Sequence, residues 1–300
     1  MTDDIAAIAA TIPAIQGFTG TPRRLGGLTN RVWQLGDHIL RIPGEGTAEY
    51  IDRENEAAAA RAAARAGIAP PVIHADPATG LMVTRFIPDT VTMTPDLFRS
   101  RTGSPDRAAR AFRRLHDSGE VFPARFDLFA MIDEYSALLG TKSVSLPTGY
   151  ADALADAQAA RKALAAHPVA LVPCHCDPLC ENFLDTGSRM WIVDWEYSGM
   201  NDPMWDLGDL SVEAGFDAAQ DASLLHTYFG GPPHPADHGR MVIYKAMCDL
   251  LWTLWGLIQH ANGNPADDFL AYADDRFTRC RALMQTPGFG AHLDAVRRGR

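Results

Sequence analysis

Apolar and polar positions alternate early in the chain. Val32 is set against Gln34, and Ile39 against Arg41, on either side of Gly36-Asp37. A period of two with a Gly-Asp turn predicts two short strands, 28–35 and 38–42. The pattern then changes. "YIDRENEAAAARAAARAG" is rich in alanine and closes on Gly67, with Pro70 and Pro71 beyond. That predicts one strong helix. "PVIHADPATGLMVTRFI" returns to strand character and predicts a hairpin turning over 76–80. From Pro88 onward the helical period dominates. "SPDRAARAFRRLHDSG" offers Ser104 as N-cap, Pro105 at the first helical position and Gly119 past the end. Segments 127–139 and 149–166 also read as helices. Short strands are predicted at 169–173, 182–185 and 190–194, and helices for the remainder.

This order gives an α+β chain in two parts. A small antiparallel β-rich N-lobe with one helix occupies 1–87, and a larger, mainly helical C-lobe occupies 88–300. No internal repeat or low-complexity linker separates them. The formal charge of −10 argues against binding a nucleic-acid backbone and suits a cationic small molecule. The start, "MTDDIAAIAATIP", lacks a basic segment followed by a long apolar run, so no secretory signal is expected. "MCDLLWTLWGLIQHA" is broken by Asp249 and Gln259 and reads as too short to cross a bilayer, so no membrane insertion is expected. The cysteines, Cys174, Cys176, Cys180, Cys248 and Cys280, are odd in number, which points to free thiols and a cytoplasmic location.

Three of them crowd into "LVPCHCDPLCENFLD". Sulfur ligation of zinc needs four ligands, usually from two separated pairs. No second pair is present, and Cys248 and Cys280 stand alone on predicted helices. Without its sulfurs the segment reads His175-x-Asp177-x-x-x-x-Asn182, the spacing of a kinase catalytic loop. In that loop the Asp faces the substrate hydroxyl and the Asn reaches a magnesium ion. A second acidic ligand is needed after a following strand pair, and "MWIVDWEY" supplies Asp194 there. A basic residue on an N-lobe strand and a glutamate on the next helix complete the requirement. Arg41 is the strand cation. Glu56 shares a face with Ala59, Ala60, Ala63 and Gly67, so it is expected to be buried and to need that cation, whereas Glu54 points elsewhere. "GGLTNR", with Thr29 and Asn30, would be the turn over the nucleotide phosphates.

"GGLTNRVW", "LRIPG", "IDRENEAAAARAAARAGIAPPV", "CHCDPLCENF" and "IVDWEYSGMNDPMWDLGDL" together resemble the choline/ethanolamine kinase family, within the wider aminoglycoside-phosphotransferase-like group, in order over nearly the whole chain. The resemblance implies a bilobal protein-kinase-like fold. It implies transfer of the γ-phosphoryl group of ATP, with Mg2+, to an alcohol. Asp177 is then the catalytic base, and Asn182 and Asp194 hold the metal. Arg41 stands where many kinases have lysine, and a guanidinium holds phosphate oxygens with different geometry. Leu179 replaces the lysine of protein kinases, which argues against a protein substrate. Asp202 with Pro203 reads as a helix cap, and Asp206 as a support for the catalytic loop.

A quaternary ammonium is held by aromatic faces and nearby carboxylates. Tyr197, Glu213, Trp252, Trp255 and Tyr272 resemble the family's choline cage, with Gln259 below the tryptophan pair. An amphipathic helix with two buried tryptophans is the plainer reading of those positions. Choline and ethanolamine are not separated by the sequence. An aminoglycoside or other small-molecule hydroxyl kinase of the same fold, and a non-catalytic nucleotide- or ligand-binding relative, stay open, as does a homodimer.

Overall fold

The structure, a computed structural model, describes residues 5–25, 30–44 and 51–300. Thr29 and the glycines of the expected phosphate turn lie outside the described residues.

A five-stranded antiparallel sheet occupies the N-terminal part. Its strands are β1 (Arg23–Arg24), β2 (Arg31–Leu35), β3 (His38–Ile42), β4 (Val72–Asp76) and β5 (Leu81–Arg85), in the order β1-β2-β3-β5-β4. Leu35 pairs with His38 across the Gly36-Asp37 turn, as the alternation predicts, and Gly36 takes the left-handed conformation there (φ 58°). Leu35, Leu40, Ile42 and Val83 form a small core with Ile5, Ala9, Ile12 and Ile15 from α1 (Ile5–Thr11) and the turns after it. The sequence reading missed α1, which is only seven residues long, and also missed β1.

Helix α2 (Arg53–Arg65) follows β3. Asp52 caps it, its Oδ1 accepting from the Glu54 and Asn55 amides at 3.0 Å each. Ala59, Ala60, Ala62 and Ala63 are buried in the larger C-terminal core rather than in the sheet's own core. Alanine lets the helix approach closely, and Asn55 fixes the contact. Its amide donates to the Ser198 carbonyl (2.8 Å) and its Oδ1 accepts from the Ala124 amide (3.0 Å). Glu56 is therefore held at a set place above the C-terminal part, while Glu54 is exposed.

Helices α3 (Pro95–Ser100), α4 (Ser104–His116), α5 (Leu128–Leu139), α6 (Tyr150–Ala166), α7 (Pro203–Ala214), α8 (Ala218–Phe229), α9 (Pro235–Ala261), α10 (Phe269–Met284) and α11 (Phe289–Arg298) build the remainder. Ser104 is not the cap of α4. Gly103 takes that place in a left-handed conformation (φ 70°), and the Ser104 hydroxyl donates to the Phe98 carbonyl at 2.6 Å, tying α3 to α4. Helix α9 is long and apolar enough to cross a membrane, contrary to the length read from its apolar stretch. However, 83% of its apolar window is buried inside the fold, where it is the central helix.

Helix α7 lies so close to α9 that a Cβ on Gly208 would stand 2.9 Å from the Met241 carbonyl oxygen. Gly208→Ala is expected to cost about 2 kcal/mol through overpacking. Thermal denaturation checks this, and an unchanged Tm would contradict the close packing.

Candidate active site

Two short antiparallel pairings frame the site. Strand β7 (Val172–Cys174) pairs with β10 (Gly199–Asn201). After a 3-10 turn at Cys180–Asn182, β8 (Phe183–Asp185) pairs with β9 (Met190–Ile192) and with β6 (Val91–Thr92). The expected strands are present but shorter or shifted, and β6 and β10 were not anticipated. Asn182 sits in the turn, and Asp194 follows β9 in a left-handed conformation (φ 66°). Cys176 is also left-handed (φ 68°). Non-glycine residues adopt this region at a cost and need surrounding contacts to hold them there.

Those contacts are dense. The Asp206 carboxylate, on α7, accepts from the His175 amide (2.8 Å) and the Cys176 amide (2.9 Å). It also pairs with His116 Nε2 at 3.1 Å. Trp205 Nε1 donates to the Cys176 carbonyl (3.1 Å) and the Ser198 hydroxyl to the His175 carbonyl (3.1 Å). Asp202 caps α7, accepting from the Met204 amide. His175 is wholly buried, and burial lowers its pKa, so it is neutral. Its Nε2 donates to the Val193 carbonyl (2.9 Å), linking the Asp177 loop to the segment that carries Asp194. Asn182 Nδ2 donates to the Asp177 carbonyl (3.1 Å), and the Val193 amide to the Asn182 carbonyl (3.0 Å). Asp177, Asn182 and Asp194 are thus tied into one unit.

Arg41 reaches this unit from β3. It forms ion pairs with Glu56, with Asp194 (3.2 Å) and with Glu196 (3.7 Å). The expected Arg41–Glu56 pair is present, and Glu56 also takes Arg53 (2.8 Å). Arg41 Nε and Nη2 are buried and have no hydrogen-bond partner among the described residues. Two unanswered guanidinium donors beside a cluster of acids suit phosphate oxygens. Asn30 Nδ2 donates to Glu196 at 3.4 Å.

The sequence reading missed Glu196. Its oxygens come within 4.8 Å of those of Glu56 and Asp194. Burial and the Asp194 charge push its carboxyl up to about 7. Its signal was its place two residues after Asp194. Burial, with the charges of Glu213, Asp194 and Glu196, holds the Asp177 carboxyl well above the usual range. The site therefore lacks positive charge. Its donors are hard oxygens, the type that suits Mg2+.

The aromatic residues gather below. Tyr197 meets Trp252 edge to face at 5.9 Å, Trp252 meets Trp255 at 6.1 Å, and Trp255 meets Tyr272 at 5.9 Å. Trp252 is also buried in the core, as the plainer reading of it expects. Gln259 is turned to Asn264, whose amide it accepts (2.9 Å). Glu213 and Tyr272 share a neighbour that was not anticipated, Arg276. It pairs with Glu213 at 2.6 Å, and its guanidinium carbon lies 4.9 Å from the Tyr272 ring centroid.

All five cysteines are free and buried. His116, Cys174 and Asp206 approach within 4.8 Å. However, His116 Nδ1 is bonded to the Tyr228 hydroxyl (2.8 Å), and both Asp206 oxygens already accept backbone amides. Burial raises the pKa of Cys174, Cys176 and Cys180, which leaves them as unreactive thiols. A thiol reagent is expected to modify none of the five rapidly in the folded protein and all of them after denaturation. Fast native reaction at the loop cysteines would contradict this.

Residues 21–241 match the phosphotransferase enzyme family. Protein LicA of Haemophilus influenzae is 30% identical over 240 residues, which span 77% of this chain and 88% of that protein. A choline/ethanolamine kinase family protein from Mesorhizobium loti has a crystal structure 64% identical in sequence, with a TM-score of 0.95 over 99% of both chains. The crystal structure of choline kinase LicA from Streptococcus pneumoniae is 25% identical, with a TM-score of 0.78 over 94% of this chain and 99% of that one. With the match running from the first strand into α9 and across the loop that carries Asp177, Asn182 and Asp194, the chain belongs to the phosphotransferase enzyme family, and its similarity within that family is to choline/ethanolamine kinases.

Proposed function

We propose that the protein transfers the γ-phosphoryl group of ATP to the hydroxyl of a small amino alcohol, choline in preference to ethanolamine. The observation that carries this reading is one juxtaposition. The Asp177–Asn182–Asp194 unit meets Arg41, whose Nε and Nη2 have no partner among the described residues, through Asp194, and Asp177 is near enough to Glu213, Arg276 and Tyr272, at the end of the aromatic series, for their charges to act on one another.

In this reading the nucleotide lies between the sheet and the helical part. Arg41 and Asn30 face its phosphates. Asn182 and Asp194 would hold Mg2+, which neutralises phosphate charge when bound, and Glu196 stands close enough to assist. Asp177 accepts a hydrogen bond from the substrate hydroxyl and takes its proton as the hydroxyl oxygen bonds to the γ-phosphorus and the bond from that phosphorus to the bridging oxygen breaks, with ADP leaving. Asp206 keeps the loop rigid. The work of the protein is positioning and charge complementarity, with no covalent intermediate.

The amine end would sit against Tyr197, Trp252 and Trp255. A trimethylammonium group has diffuse charge and no donors, so aromatic surfaces suit it. Losing one tryptophan face should cost choline about 1–2 kcal/mol, roughly a 5- to 30-fold fall in kcat/KM. The loss should fall mostly on KM, because the ammonium is remote from the reacting hydroxyl. Steady-state kinetics of Trp255→Ala with choline and ethanolamine tests this. Equal losses on both amines would mean that the tryptophans are core alone.

A further inference from the structure

Arg276 lies one helical turn after Tyr272 on α10 and is only 6% exposed at its side chain. It ties its own helix to two others. Besides the Glu213 pair from α7, its Nη1 lies 3.4 Å from Asp249 Oδ1 on α9, and its guanidinium covers the Tyr272 ring. Arg279 shares Asp249, at 2.6 Å. A buried guanidinium with two carboxylates and a ring face is charged and fixed in place.

This arrangement changes what the pocket offers to an amine. Glu213 keeps 11% of its side chain accessible, but its charge is already answered by Arg276. The Tyr272 face beneath the guanidinium is already covered by a cation. Asp209, one turn earlier on α7, is sealed at 1% exposure, with the Cys248 thiol donating to it at 3.1 Å. An incoming cation therefore meets the aromatic surfaces of Tyr197, Trp252 and Trp255, and a carboxylate already in an ion pair. A quaternary ammonium loses little by this, because it donates no hydrogen bonds. A primary ammonium must shed water from three donors and needs acceptors in return.

We propose that Arg276 is a specificity-determining residue, which by pairing with Glu213 and covering Tyr272 biases the amine subsite towards quaternary and against primary ammonium. The inference rests on the amino-alcohol reading above and adds the residue that sets the preference.

Arg276→Gln tests it, with wild type and variant assayed on choline and ethanolamine and with folding checked by thermal melt. The glutamine frees the Glu213 carboxylate. The choline-to-ethanolamine ratio of kcat/KM is expected to fall at least about tenfold, mainly through a lower relative KM for ethanolamine. A ratio unchanged within twofold, with both substrates impaired alike, would make Arg276 a helix fastener and overturn this inference alone. A rise in the ratio would overturn it as well. A wild-type protein that phosphorylates neither amine would instead sink the amino-alcohol reading, and this inference with it. Should the glutamine variant not fold, Arg276→Lys keeps the buried charge but binds with a single ammonium head. A smaller fall in the same direction is then expected, and no change would contradict the inference.

Discussion

Asparagine at position 177 is expected to lower kcat by about 10^3-fold with little change in melting temperature. A positioned general base contributes typically 10^2–10^4 in rate. The neutral amide keeps the size of the side chain but cannot accept the proton of the substrate hydroxyl. Folding should survive, because the loop is held through its backbone. Asp206 binds the His175 and Cys176 amides, and Asn182 binds the Asp177 carbonyl. The variant should even gain slightly in stability, because Asp177 is crowded by Glu213, Asp194 and Glu196 in a site that burial already makes hostile to charge. Asp194→Ala should be as inactive, since it removes an acid that both contacts Arg41 and stands in the oxygen cluster. Steady-state turnover with thermal melts checks both. Near-normal kcat in either folded variant would remove the assignment of roles.

Asp206→Ala should act in the opposite way, on the fold first. It leaves two buried backbone amides and His116 Nε2 without their acceptor. Each orphaned donor costs about 1–3 kcal/mol, so a total loss of about 3–5 kcal/mol is expected. In a chain of this length that lowers Tm by roughly 5–15 °C. Turnover should fall together with stability, because the left-handed Cys176 next to Asp177 loses its anchor. A melt within 2 °C of wild type, on the order of the shift for less than 1 kcal/mol, would contradict the role given to Asp206.

The candidate unit was legible because the chemistry proposed for it fixes spacing. His175, Asp177 and Asn182 lie within eight residues on one loop, and the metal-side acid must follow a short strand pair. Glu56 could be placed by periodicity, because a polar residue on an alanine face must be buried and must find a cation. Partners distant in sequence were harder to see. Arg276 lies more than sixty residues from Glu213, and nothing in the sequence of α10 tells which of its arginines, Arg276, Arg279 or Arg281, turns inward. Glu196 was passed over because one acid after the strand already met the requirement. The short strands β6 and β10 exist only through their partners β8 and β7, so no local pattern announces them. Ser104 carried the composition of a cap, but the left-handed Gly103 took the position and left the hydroxyl to bind Phe98.

The central claim is that this chain moves phosphate from ATP to the hydroxyl of an amino alcohol at Asp177. Phosphorus NMR of purified protein with ATP, magnesium and choline tests it most directly, with the Asp177→Asn variant run in parallel. The account predicts a phosphomonoester of choline appearing with ADP in equal amounts, and none above background with the variant. ADP formed alongside free phosphate, with no ester of choline or ethanolamine, would contradict it.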